Sequence, residues 1–183
     1  MTAIRHATLL FAICAAVIFQ AVVFRYVSVD GVVPNLVLVV VVAAAISRGS
    51  QFAACLGFGA GLLLDLAPPA DHVAGRWALA LVLVGYLAGR VRSDARDSPL
   101  VAVLLVGAMS FVGTSLFALS GVILNDGSVP IDETLQVLVI SVLWDVMLAP
   151  FLVPLLVRLV DSLGTGRPDA DRIGRPAPSL RMP

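Results

Sequence analysis

Six apolar blocks joined by short charged connections run the length of this chain and leave it few ways to fold. They lie at residues 7–24, 33–46, 52–66, 73–89, 100–124 and 135–160. A helix crosses a bilayer with roughly 20 apolar residues at about 1.5 Å each, and the blocks approach that length. Apolar residues make up 60% of the 183 and charged residues 13%, against roughly 25% charged in a soluble domain. They come in long runs rather than in amphipathic stripes, so lipid is the expected solvent. The second and third blocks are short. Either flanking residues complete them, or they form a tight hairpin around Ser47-Arg48-Gly49-Ser50 that stops short of full depth. The last two are long enough to tilt.

The formal net charge is zero, so the placement of charge is informative and its total is not. All twelve Lys/Arg residues are arginine. Ten of them (Arg5, Arg48, Arg90, Arg92, Arg96, Arg158, Arg167, Arg172, Arg175 and Arg181) fall on one side of the predicted spans. The other side holds Arg25 and Arg76 with Asp30, Asp65, Asp71, Asp126, Asp132 and Glu133. The positive-inside rule then places both termini in the cytoplasm, and an even number of spans follows. Tyr26 and Trp77 fall near the outer boundary, where amphipathic rings anchor.

Residues 1–163 therefore read as one membrane domain. Residues 164–183, rich in Gly, Pro, Arg and Asp, read as a disordered cytoplasmic tail. Cys14 and Cys55 lie inside apolar blocks and imply no disulfide framework. Phe11-Ala12-Ile13 makes a poor lipobox before Cys14, and the first block lacks a small-residue cleavage site, so it reads as a retained anchor. No internal repeat is visible.

The densest pattern is GFGAGLLLDLAPPADHVAGRWALALVLVGYLAG at 57–89. Gly57, Gly61 and Asp65 recur every four residues and share one helix face. Gly85 and Gly89 repeat the spacing in the next block, with Ala78 on about the same face. Small residues four apart let a neighbouring backbone approach closely. The economical reading is internal packing against a neighbouring helix, the two faces on each other being one such arrangement. The alternative is a face for a partner's helix. Asp65 carries its face to the outer surface, with Arg76 and the backbone amides of the turn as expected partners. Pro68 and Pro69 end one helix, and Asp71 is an N-cap candidate for the next. His72 beside Asp71 hints at a metal, but only one other histidine exists, His6, predicted on the opposite side. Zinc sites gather three or four ligands, so no metal or other cofactor is expected.

Asp145 is the deepest acid, near the centre of the last block. An ionisable group there is a functional candidate, because burying an unpaired charge costs several kcal/mol. Ion or proton transport is one reading. A hydrogen-bonded structural acid facing the bundle is the other. Pro150 and Pro154 follow, and Pro150 is expected to kink the helix near Asp145, with Gln20 and Gln136 adding polar contacts inside. The chain contains no HExxH, no GxSxG and no phosphate-cradling Gly-Lys-Ser/Thr loop, so an enzyme is not expected.

Pro34-Asn35-Leu36 opening the second block, GFGAGLLLDLAPP at 57–69 and GRWALALVLVGYLAG at 75–89 resemble the rod shape-determining protein MreD family, most closely its actinobacterial members. The resemblance covers nearly all the membrane part, with its specific signal in 34–89. The family pattern has an acid where this chain has Asn35. The resemblance implies an all-α integral membrane protein, a compact bundle of about six transmembrane helices similar to the substrate-binding components of ECF transporters. It implies a non-enzymatic scaffold of the cell-wall elongation machinery, or of spore-wall synthesis. The implied partners are MreC directly, and RodA, a class B penicillin-binding transpeptidase and MreB indirectly, with no nucleic acid. In that reading Gly57, Gly61, Asp65, Arg76, Gly85 and Gly89 shape a joint that holds MreC, while Asn35, Asp145 and Pro150 lie within the membrane. The alternative is a substrate-binding subunit of a vitamin-uptake transporter. That class docks its transport module on an Ala-x-x-x-Ala face, for which Ala12 and Ala16 are a weak match. A vitamin pocket also needs convergent polar groups, and few stand outside the outer turn.

Overall fold

A computed structural model describes residues 32–67, 73–125 and 131–162, with the side chains of 131–133 left aside. The first apolar block, the tail, Cys14, Gln20, Tyr26, Pro68, Pro69, Asp71 and His72 lie outside the described residues. The described chain is helical: α1 (Leu36–Arg48), α2 (Ser50–Leu66), α3 (Arg76–Arg90), α4 (Arg92–Asp97), α5 (Pro99–Ile123) and α6 (Ile131–Ser162). Five of these match the last five apolar blocks within a few residues. The short α4 occupies what the sequence presents as a charged connection.

α1 is the centre of the bundle. It touches all five other helices, and every residue from Leu36 to Ser47 is buried. A helix apolar on every side can only be a core helix or a membrane span. With 13 residues it is roughly 20 Å long, too short for a bilayer core of about 30 Å. Its start lies beside Asp145, about halfway along α6, and its end lies beside Asp161 near the end of α6. α1 is thus a half-length helix running parallel to the second half of α6. It turns directly into α2 at Gly49, whose φ of 91° favours glycine. That is the tight hairpin at 47–50 allowed by the short second block.

α2 and α3 form an antiparallel pair with almost no side chains between their backbones. A methyl added at Gly57 would overlap the Leu81 carbonyl, and one at Gly61 the backbone of Ala78. From the other side, Gly85 meets the Ala53 backbone and Gly89 that of Ser50. The two glycine faces therefore meet each other, as the internal-packing reading has it. Among the described residues, α2 packs mainly on α3 and α1.

α5, and α6 from Thr134 to Ser162, are each long and apolar enough to cross a membrane, with mean hydropathy 2.2. The helix assignment of α6 runs unbroken through Pro150 and Pro154. Gln136, expected inside, is exposed. Large apolar side chains are exposed along every long outer helix, including Phe58, Leu79, Phe111, Leu143 and Phe151.

Gly57→Val is expected to force α2 and α3 apart, at the 1–3 kcal/mol typical of overpacking. Gly59→Ala, where an added methyl meets nothing within 4 Å, is expected to be neutral or slightly stabilising. Thermal unfolding of the two variants in mild detergent checks this. Equal melting temperatures would contradict the close approach.

Candidate functional site: two carboxylates at helix starts

The first four amides of a helix have no partner within it, and in an apolar surround each must find one. α3 begins at Gly75, in the left-handed region with φ 102°, and a glycine has no side chain to cap with. Asp65, 1% exposed at the end of α2, supplies the acceptors. Its Oδ2 accepts from the amides of Gly75 at 2.9 Å and Ala78 at 3.1 Å, and its Oδ1 accepts from Trp77 at 3.0 Å. An acid in the last turn of one helix thus caps the helix that follows. The negative charge also faces the positive end of the α3 dipole.

The expected contacts of Asp65 with turn amides are present. Arg76 extends toward α5. Its Nη2 donates to the Phe117 carbonyl at 2.8 Å and its Nε to Ser120 Oγ at 3.2 Å. The guanidinium carbon lies 4.0 Å from the centre of the Phe117 ring. Trp77 stacks on the same ring, 4.5 Å between centroids. Gly121 leaves the space that the Arg76 guanidinium fills. Asp65 and Arg76 together fasten α2, α3 and α5 at one end of the bundle.

The second carboxylate repeats the device deeper. Asp145 on α6 is fully buried. Its Oδ1 accepts from the Asn35 amide at 2.8 Å, and its Oδ2 from Ser110 Oγ on α5 at 2.7 Å. Asn35 is itself the N-cap of α1, its Oδ1 accepting from Leu38 N at 3.0 Å. Asn35, Ser110 and Asp145 therefore join α1, α5 and α6 at mid-bundle. The arrangement favours the structural reading of Asp145, since both of its oxygens take donors from the fold. Pro150, one and a half turns further on, lies outside this cluster and lines a cleft with Pro99 and Pro154.

At the far end, Ser47 donates to Asp161, which also binds Arg96 at 3.2 Å, and Arg48 donates to the Val160 carbonyl at 3.2 Å. Sequence reasoning missed Ser110, Ser47 and Asp161. The available signal for Ser110 was its place between Gly107 and Gly113, three residues from each, on a small-residue stripe of an apolar helix. Among the described residues no group of three His, Cys, Asp or Glu could hold a metal.

The fold and these pairs define a class: an all-α bundle built round a buried half-length helix whose start is held by a carboxylate from a neighbour. No family model, curated protein or solved structure matches the chain.

Asp145→Ala is expected to lower the melting temperature more than Asp145→Asn. Alanine leaves the Asn35 amide and the Ser110 hydroxyl buried without an acceptor, at about 1–3 kcal/mol for an unsatisfied group. Asparagine keeps one carbonyl oxygen. Asp65→Ala is expected to cost about 0.5–2 kcal/mol, the range for a lost N-cap, and to speed hydrogen exchange at Gly75, Trp77 and Ala78. Wild-type melting in both alanine variants would refute the capping roles.

Proposed function

We propose that this chain is a multi-pass protein of the bacterial cell membrane with both termini in the cytoplasm. In this reading it is a non-enzymatic scaffold of the cell-wall elongation or spore-wall machinery, and it holds the membrane helix of MreC or the stem beside it. The membrane placement draws on two helices of spanning length and on the large apolar side chains that face outward around the bundle. The orientation draws on charge. Arg48, Arg90, Arg92, Arg96 and Arg158 gather at one end and Arg76 lies at the other. The wider assignment to the MreD family, with its indirect links to RodA, a class B transpeptidase and MreB, rests on the motifs at 34–89.

The observation that carries the scaffold reading is the α2–α3 hairpin. It is locked along its length by backbone contact and held at one end by Asp65, while among the described residues α2 has its main neighbours, α3 and α1, on one side. The outward stripe of α2 is Gln51, Cys55, Phe58, Gly59 and Leu66, all exposed. This revises which residues meet the partner. Gly57, Gly61, Gly85 and Gly89 are occupied in holding the hairpin together, so they shape the joint from within. Gly59, open on its outer side, is where a second helix can come close. The vitamin-uptake alternative draws nothing from the cleft at Pro99, Pro150 and Pro154, which lies at the arginine-rich end, cytoplasmic in this orientation.

Gly59→Leu is expected to keep the wild-type melting temperature and to reduce co-purified or crosslinked MreC about tenfold. Gly61→Leu and Asp65→Ala are expected to lose MreC only along with stability. Full MreC recovery with a folded Gly59→Leu protein would sink the assignment of this face. A vitamin bound one-to-one in native mass spectrometry would overturn the scaffold reading itself.

A further inference from the structure

We propose that the cleft between α4, α5 and the second half of α6 is a site for one anionic phospholipid. An acyl chain would lie between the helices, with the phosphate at Arg158 and Arg96. The inference rests on the membrane placement proposed above but not on the identity of any protein partner.

The cleft encloses about 530 Å³, within the roughly 300–1,000 Å³ of small-molecule sites. Ala95, Ala102 and Ala149, with their small side chains, are among its lining residues. Its walls, Leu100, Val103, Val153 and Val157 among them, are apolar, and among the described residues Arg96 and Arg158 are its charged lining residues. The two cations differ in their engagement. Arg96 is tied to Asp161 at 3.2 Å, which fixes it at the rim. Arg158 is exposed and has no hydrogen bond or ion pair with a described residue. The site is thus apolar along its walls and cationic at its mouth, the complement of a lipid with a phosphate head.

Position selects among anionic amphiphiles. The cleft lies at the arginine-rich end, which faces the inner leaflet in the proposed orientation, where anionic lipids concentrate and basic pockets between helices bind their heads. Guanidinium groups pair with phosphate in a bidentate fork. If Arg158 merely extended its side chain to water, as arginines near helix ends do, it would show no preference among lipid heads. That difference makes the proposal testable.

The experiment uses the full chain. Alkaline carbonate extraction of membranes first tests the placement, and release into the supernatant would overturn it whatever the lipid result. The protein in mild detergent is then titrated with phosphatidylglycerol and with phosphatidylcholine of the same acyl chains, and bound lipid is counted by native mass spectrometry. One phosphatidylglycerol is expected to stay bound under conditions that strip phosphatidylcholine. Arg158→Gln is expected to weaken phosphatidylglycerol about fivefold, the factor for one cation at an anionic lipid surface, and to leave phosphatidylcholine unchanged. Val103→Trp, which fills the cleft, is expected to abolish lipid retention. Inorganic phosphate at equal concentration is expected not to displace the lipid, and displacement would make this a phosphate site instead. Equal retention of the two lipids by the wild-type chain would overturn the proposal. So would wild-type phosphatidylglycerol binding by Arg158→Gln, whose exposed position keeps folding out of the result.

Discussion

A helix that starts inside an apolar interior brings several unpaired amides with it, and this bundle depends on how two such starts are satisfied. Asp145 accepts from the amide of Asn35 at the head of α1, and Asp65 accepts from three amides at the head of α3. Each carboxylate comes from a different helix than the one it caps. Each is also buried, so it joins packing to hydrogen bonding at one point. The bond at Asp145 lets a 13-residue helix begin halfway along a 32-residue one. Without an acceptor there, the start of α1 would have to shift toward water, and the core built from its valines would shift with it.

The glycine pairs do a related job by shape. Dispersion contacts are individually weak, so two helices gain most when their backbones approach along several turns. Ser50 opposite Gly89, Ala53 opposite Gly85, Gly57 opposite Leu81 and Gly61 opposite Ala78 do so in sequence. The line then ends on Asp65 and the amides of 75–78. One continuous seam passes from van der Waals contact to charge-assisted hydrogen bonding. The seam uses the inner face of α2, and Gln51, Cys55, Phe58, Gly59 and Leu66 on the other face are exposed. The polar groups at both carboxylates are taken up in hydrogen bonds within the fold.

The basic end is held differently. There Asp161 joins Ser47 of α1 and Arg96 of α4, and a cleft lined in part by small residues lies between α4, α5 and α6. The two ends of the molecule thus divide the work. One end is closed by Asp65, Arg76, Trp77 and Phe117, while the arginine-rich end stays open between apolar walls, with Arg158 unpaired among the described residues.

The all-α class, the positions of five helices and the singling out of Asp65, Asp145 and the glycines were legible in the sequence. Block length, charge placement and four-residue spacing are local properties, and a local property survives without knowledge of the fold. The hairpin at 47–50 was one of two readings of the short blocks, and the turn at Gly49 decides for it. Tertiary structure alone decided which face met which. The spacing of Gly57 and Gly61 marks a close approach but does not say whether α3 or another protein makes it. Asp145 marks a deep acid but does not reveal Asn35 at 110 residues' separation or Ser110 at 35. Asp161, a terminal acid in an apolar helix, gave no sign that it would meet Ser47 and Arg96. Pairing between distant segments depends on how whole helices stack, and no window of sequence contains that information.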